Sequence, residues 1–143
     1  MVALMLGAWL APPAGAADVT VEPVEWQLTA EGCSELPAGT TVDGSGTMRT
    51  VTTGTAARTI VIAHATGTAT DQDGTTYRWI YSNEFTSTAS ATVIVDHFSL
   101  SGPGPARLSN GFVIRFTADG LDVIHVHGDP IDFATFEAHC DPL

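Results

Sequence analysis

The segment LDVIHVHGDP, residues 121–130, sets two histidines one residue apart at the end of an apolar run. Side chains at i and i+2 of a β-strand leave the same face, so His125 and His127 present two imidazoles side by side. Two nitrogen ligands so placed, completed by a third from a neighbouring strand or the following loop, can hold zinc or another divalent metal. His64, His97, Asp129, Asp132 and His139 are available as that third group, and His97 and Asp132 join the pair as the candidate metal site. The competing expectation is packing. Leu121, Val123, His125 and His127 would then form one strand face running from core to rim, the imidazoles bonded to Asp96, Asp122, Asp129 or backbone carbonyls. A chain with 16 acidic residues brings some carboxylate near any histidine, so packing is the simpler account and no cofactor is required.

A second group with chemical potential is the aromatic row Tyr77, Trp79, Tyr81 and Phe85, at period two in one strand. Exposed, such a row stacks on flat or sugar-like ligands; turned inward, it lines a small-molecule pocket or fills a core. Tyr77, Trp79 and Tyr81 are therefore the candidate ligand contacts, with core packing favoured because strands are rich in such residues anyway. The Asp71-Gln72-Asp73-Gly74 segment offers two carboxylates but far fewer oxygens than calcium requires, and reads as a hairpin turn. Ser45 lies in DGSGT without a nucleophile-elbow pattern, so nothing signals a serine hydrolase. Sixteen acids always allow some carboxylate pair, which makes that possibility unspecific.

The elements that must carry these residues are strands. Apolar residues follow a period of two in 19–29, 47–53, 58–70, 75–85, 91–100, 111–118 and 121–127, separated by Gly, Asp and Asn-containing turns such as Asp119-Gly120. Pro23 within the first segment marks a bulge or an edge. The expected fold is all-β, an antiparallel meander of seven to eight strands. Several strands are apolar on both faces, as in TVIVDHFSL, which favours a small up-and-down barrel, with a two-sheet sandwich second. The turn-rich 101–111 loop would cover a barrel mouth. After Asp129-Pro130 the chain fits either a helix start or a closing strand through Ile131, Phe133 and Thr135.

Residues 1–17 carry no charged side chain and end in an A-x-A pattern, which reads as a secretory signal peptide followed by one domain over 18–143. Such a peptide ordinarily opens with Lys or Arg, whereas the first basic residue is Arg49, so a start upstream of Met1 is expected. Cys33 and Cys140 are then expected to form a disulfide in an oxidising compartment. Five Arg, no Lys and 16 acids give a net charge of −11, which repels phosphate backbones and anionic headgroups. Nucleic acid and bare membrane surface are thus poor expected partners, and no membrane insertion is expected after signal cleavage.

DHFSLSGPG (96–104), the strand GFVIRF and the closing CDPL resemble small secreted actinobacterial proteins of unknown function. That resemblance covers roughly the last third of the chain and implies a calycin-like or allene-oxide-cyclase-like barrel outside the cell, without transferring a site. The His-x-His pair with Asp132 is also similar to a cupin metal motif, but it has Asp where that motif needs Glu and its glycine spacing is off by one. The leading expectation is a secreted, monomeric barrel that binds a small or hydrophobic molecule, or a partner protein, without catalysis. The alternatives are a metal-binding protein or metal-dependent enzyme built on His125 and His127, and a structural envelope protein with no ligand.

Overall fold

The computed structural model describes residues 16–143, so the expected signal segment lies outside the described residues apart from its last two. Seven strands run in chain order: β1 (Asp18–Thr29), β2 (Thr41–Gly54), β3 (Arg58–Asp71), β4 (Thr76–Thr88), β5 (Thr92–Ser101), β6 (Leu108–Thr117) and β7 (Gly120–His127). They form one antiparallel sheet in which each strand pairs with its neighbour in sequence. The all-β meander expected from period-two patterning is therefore the architecture. Closure is not: among the described residues, β1 and β7 are not paired with each other and end the sheet as two edges. Pro23 sits on the β1 edge in unbroken register with Thr47, where its missing N–H does least harm.

The sheet is nevertheless strongly curled. β1 and β5 stand four strands apart, roughly 19 Å in a flat sheet, yet the rings of Trp26 and Phe98 lie 5.4 Å apart. Trp26 also meets Trp79 edge-on at 5.7 Å, and these three rings form the centre of the core. Glycines permit the curl. Gly46 and Gly67 are cross-strand partners, and a Cβ on Gly67 would lie 1.9 Å from the Ser45 carbonyl oxygen. The Trp79 indole covers this bare patch and donates its Nε1–H to the carbonyls of Ser45 and Thr68, at 3.1 Å each. A Cβ on Gly44 would likewise strike the Trp26 ring. β2 thus begins at Thr41, six residues before the sequence suggests, because tryptophans on β1 and β4 supply the side chains its glycines lack.

Tyr77 closes one end of the core. Its hydroxyl donates to Asp71 Oδ2 and accepts from the Ala106 amide, which draws the 102–106 loop onto the ring. Asp71 Oδ1 accepts the amides of Asp73 and Thr75, so the carboxylate is engaged by the hairpin turn. At the other end the C-terminal segment is neither helix nor full strand. Ile131 and Ala138 form an isolated antiparallel bridge around a tight turn, with Asp132 Oδ1 accepting the amides of Ala134 and Thr135. Cys140 is joined to Cys33, which pins this tail against the loop after β1. No helix among the described residues is long and apolar enough to cross a membrane.

Candidate functional site

On β5 the residues Ile94, Asp96, Phe98 and Leu100 share the inner face, since a strand alternates faces. Three of the four are apolar, and Asp96, 5% exposed, is an acid on a core face. Tyr81 Oη and Asn83 Nδ2, also directed inward from β4, both donate to Asp96 Oδ2, at 2.9 and 2.7 Å. Asp96 Oδ1 has no protein donor. Asp141 reaches this carboxylate from the tail and is itself only 4% exposed.

Two carboxyls buried in contact cannot both ionise at low cost. Burial, and then the bond to Asp96, push Asp141 up to about 8, so its carboxyl keeps a proton at neutral pH. That proton supplies the donor that Asp96 otherwise lacks. Tyr81 is pushed well above the usual phenol range by burial and by the Asp96 charge, and so stays a donor. Asp141 Oδ1 in turn accepts the Leu143 amide at 3.1 Å, which orients the tail carboxyl.

The pair lies on the wall of a cavity of about 450 Å³ between the inner face of the sheet and the tail. Ile94, Phe112, Ile114 and Phe116 line it from β5 and β6, and Ile131, Phe136 and Leu143 from the tail. Volume and lining fall in the range of small-molecule sites, apolar with a few convergent polar groups. Phe136 is unusual among the wall residues. It is half exposed and holds φ at 57°, a left-handed conformation that costs a bulky residue on the order of 1 kcal/mol. Its amide donates to the Asp132 carbonyl at 2.6 Å, and its ring lies 6.0 Å from that of Phe116 at the cavity mouth.

The residues singled out by sequence divide between faces. Tyr77 and Trp79, each 1% exposed, are core; Tyr81 alone of the three reaches the cavity, and Phe85 is half buried. His125 and His127 do not share a face with Leu121 and Val123. A bulge at Ile124 adds one residue between Val113 and Ile114 of the partner strand, so Leu121 and Val123 oppose inward Phe116 and Ile114. His125 and His127 instead oppose outward Val113 and Gly111. His97 pairs with Gly111 from the other side and faces outward too. The three imidazoles therefore gather on the outer surface, with ring centroids 5.8 Å apart for His97 and His127 and 5.9 Å for His125 and His127.

Asp132 is not with them, being engaged in its own turn, and Asp129 binds His139 at 3.0 Å and Ser34 at 2.7 Å. That contact holds Asp129 below the ordinary carboxylate range, chiefly through the His139 bond and then Ser34, and raises His139. His64 lies in the same lateral row as His97, separated from it by Ser82 on β4.

The acid pair escaped the sequence reading, although an Asp in phase with Ile94, Phe98 and Leu100 was the available signal. Asp141 carried none. No protein-family model matches the chain, and no curated protein and no solved structure matches it either.

Proposed function

We propose that the protein binds a small, mainly apolar molecule bearing a protonated amine, held in the cavity beneath the tail, without turning it over. The observation that carries this reading is the Asp96–Asp141 pair on the wall of an otherwise apolar, aromatic-rimmed cavity. An apolar body gains from burial against Phe112, Phe116 and Ile114, while an ammonium group satisfies Asp96 Oδ1 and the net negative charge. The ammonium takes the place of the shared proton. Below about pH 8 affinity should therefore rise with pH, by up to about tenfold per unit, and binding should release a proton.

The test is calorimetric titration of the oxidised chain with phenethylamine and octylamine, using octanol as the neutral control, in buffers of different ionisation enthalpy. Amine binding with proton release, lost in Asp96→Asn, supports the reading. Binding of octanol as tight as that of octylamine, or no binding of either amine, sinks it.

Export from the cell is the accompanying reading. The Cys33–Cys140 disulfide is compatible with an extracellular location, and the uncharged 1–17 segment supports cleavage after Ala16 or Ala17. Sequencing the N-terminus of protein recovered from culture medium tests it: a start at Ala17 or Asp18 agrees, and an intact Met1 in the cell pellet does not. The likeness to secreted actinobacterial barrels supports the same view, and a monomer with no nucleic-acid partner belongs to it.

A further inference from the structure

We propose that His97, His125 and His127 form a three-imidazole site for a late first-row divalent metal, copper(II) or zinc, on the outer face of the sheet. The site is independent of the cavity, which opens on the inner face.

The placement follows from register. His97 on β5, Gly111 on β6 and His127 on β7 lie in one row across the strands. The middle position has no side chain, so the flanking rings lean together over it; a Cβ on Gly111 would lie 3.0 Å from His127 Cε1. The glycine is also demanded by the backbone, because the same Cβ would lie 2.4 Å from the Asp96 carbonyl oxygen. His125, opposite Val113 in the adjacent outward row, lies beside His127 on this face because the Ile124 bulge turns it away from Val123.

His127 stands between the other two rings, and the ligand nitrogens of all three do not lie within 4.8 Å of one another, so an ion is held only once His97 and His125 turn in toward His127. With metal–nitrogen bonds of about 2.0–2.1 Å and tetrahedral angles, two imidazoles on one zinc have ring centroids about 5 Å apart. The observed separations are 5.8 Å for His97–His127 and 5.9 Å for His125–His127, and rotation about χ1 and χ2 of these surface rings is what brings His97 and His125 to one point beside His127. Ser109 Oγ lies 3.3 Å from His97 Nε2. Accepting a proton from that nitrogen leaves Nδ1 as the ligand, the usual outer-partner arrangement for a metal-bound histidine.

The donor set selects the metal. Nearby carboxylates are engaged elsewhere: Asp122 with Arg115 at 2.8 Å, Asp129 with His139, and Asp96 on the opposite face. Three neutral nitrogens with no carboxylate favour copper(II) and zinc over calcium or magnesium, which prefer oxygen. Solvent exposure of His125 and His127 leaves a fourth position for water.

The experiment titrates Cu²⁺ and Zn²⁺ as chlorides into the metal-free, disulfide-intact full chain, following affinity by calorimetry and copper by electron paramagnetic resonance. Variants are His97→Gln, His125→Gln and His127→Gln, with His64→Gln, His139→Gln and Asp141→Asn as comparisons; circular dichroism verifies that each folds. One ion per chain, nitrogen hyperfine coupling, and at least tenfold weaker binding in each of the first three variants alone is the expected result. No bound ion, retention of the ion in the triple histidine variant, or a loss that follows His139 or Asp141 overturns the assignment. An unchanged His97→Gln also overturns it, since the site would then be a two-histidine strand motif only.

Discussion

Replacing Asp141 by Asn tests the shared proton directly. In the folded chain the Asp141 proton is held up to about pH 8, whereas the unfolded chain releases it near the ordinary value of 3.8. The folded state therefore binds this proton more tightly, so its contribution to stability is fully present below about pH 4 and is lost progressively as pH rises to about 8. A displacement of that size corresponds to a ceiling on the order of 5 kcal/mol, and water entry around the ionised pair lowers the observed loss to a few kcal/mol.

An asparagine keeps an oxygen for the Leu143 amide and presents an NH₂ to Asp96, as the protonated acid does, but cannot ionise. Wild type and Asp141→Asn should be alike at pH 4 and diverge upward, the variant being more stable by about 2 kcal/mol or more at pH 8.5. For a domain of this size that is roughly 6–10 °C in melting midpoint. Urea denaturation under non-reducing conditions, read by the fluorescence of the buried Trp26 and Trp79, measures it. If the two midpoints run parallel from pH 4 to 9, or if the variant is the weaker protein at pH 8.5, the carboxyls do not share a proton and the account of the cavity wall is wrong.

Removing the disulfide by Cys33→Ser with Cys140→Ser opens a 107-residue loop and should cost about 5 kcal/mol by chain entropy, seen as a large fall in the urea midpoint. Gly67→Ala places a methyl against the Ser45 carbonyl and the Trp79 ring; it should lower stability by more than about 3 kcal/mol and redshift tryptophan emission, whereas Gly74→Ser, at an exposed turn, should leave the emission unchanged. Proton NMR should find His139 titrating above the ordinary imidazole range, and Asp129→Asn should bring it down. An Asp129→Asn spectrum with an unmoved His139 midpoint refutes the pairing.

Much of the fold was legible because strands announce themselves by alternation. Tyr77, Trp79 and Tyr81 share one buried face as their spacing implies, and the Asp71–Gly74 and Asp119-Gly120 turns fall where composition puts them. Cys33 and Cys140 pair as two cysteines in one chain would. What alternation cannot report is a break in itself. The Ile124 bulge reverses the face of everything after it, which separates His125 from Val123 and turns a packed face into an outward cluster. Nor does composition recognise β2 as strand in TVDGSG, since what stabilises those glycines are rings contributed by Trp26 and Trp79 from other strands. Barrel closure was inferred from strands apolar on both faces, yet Val19, Val21, Val123 and Val126 remain exposed along β1 and β7. The Asp96–Asp141 contact links a strand to a tail through no motif at all.

The tail carries a further consequence, for the order of events during folding. Contacts between successive strands are local, so the meander can zip from hairpin to hairpin. Ile131, Phe136, Asp141 and Leu143 follow every strand in sequence, and the cavity they complete does not exist until they have docked. A sheet formed ahead of the tail would have Asp96 uncovered and the apolar wall around it open to solvent. Oxidation of Cys140 onto Cys33 then converts a late, reversible docking into a permanent wall. The cavity is in this sense the last part of the molecule to be completed, and the Cys33–Cys140 bond fixes it.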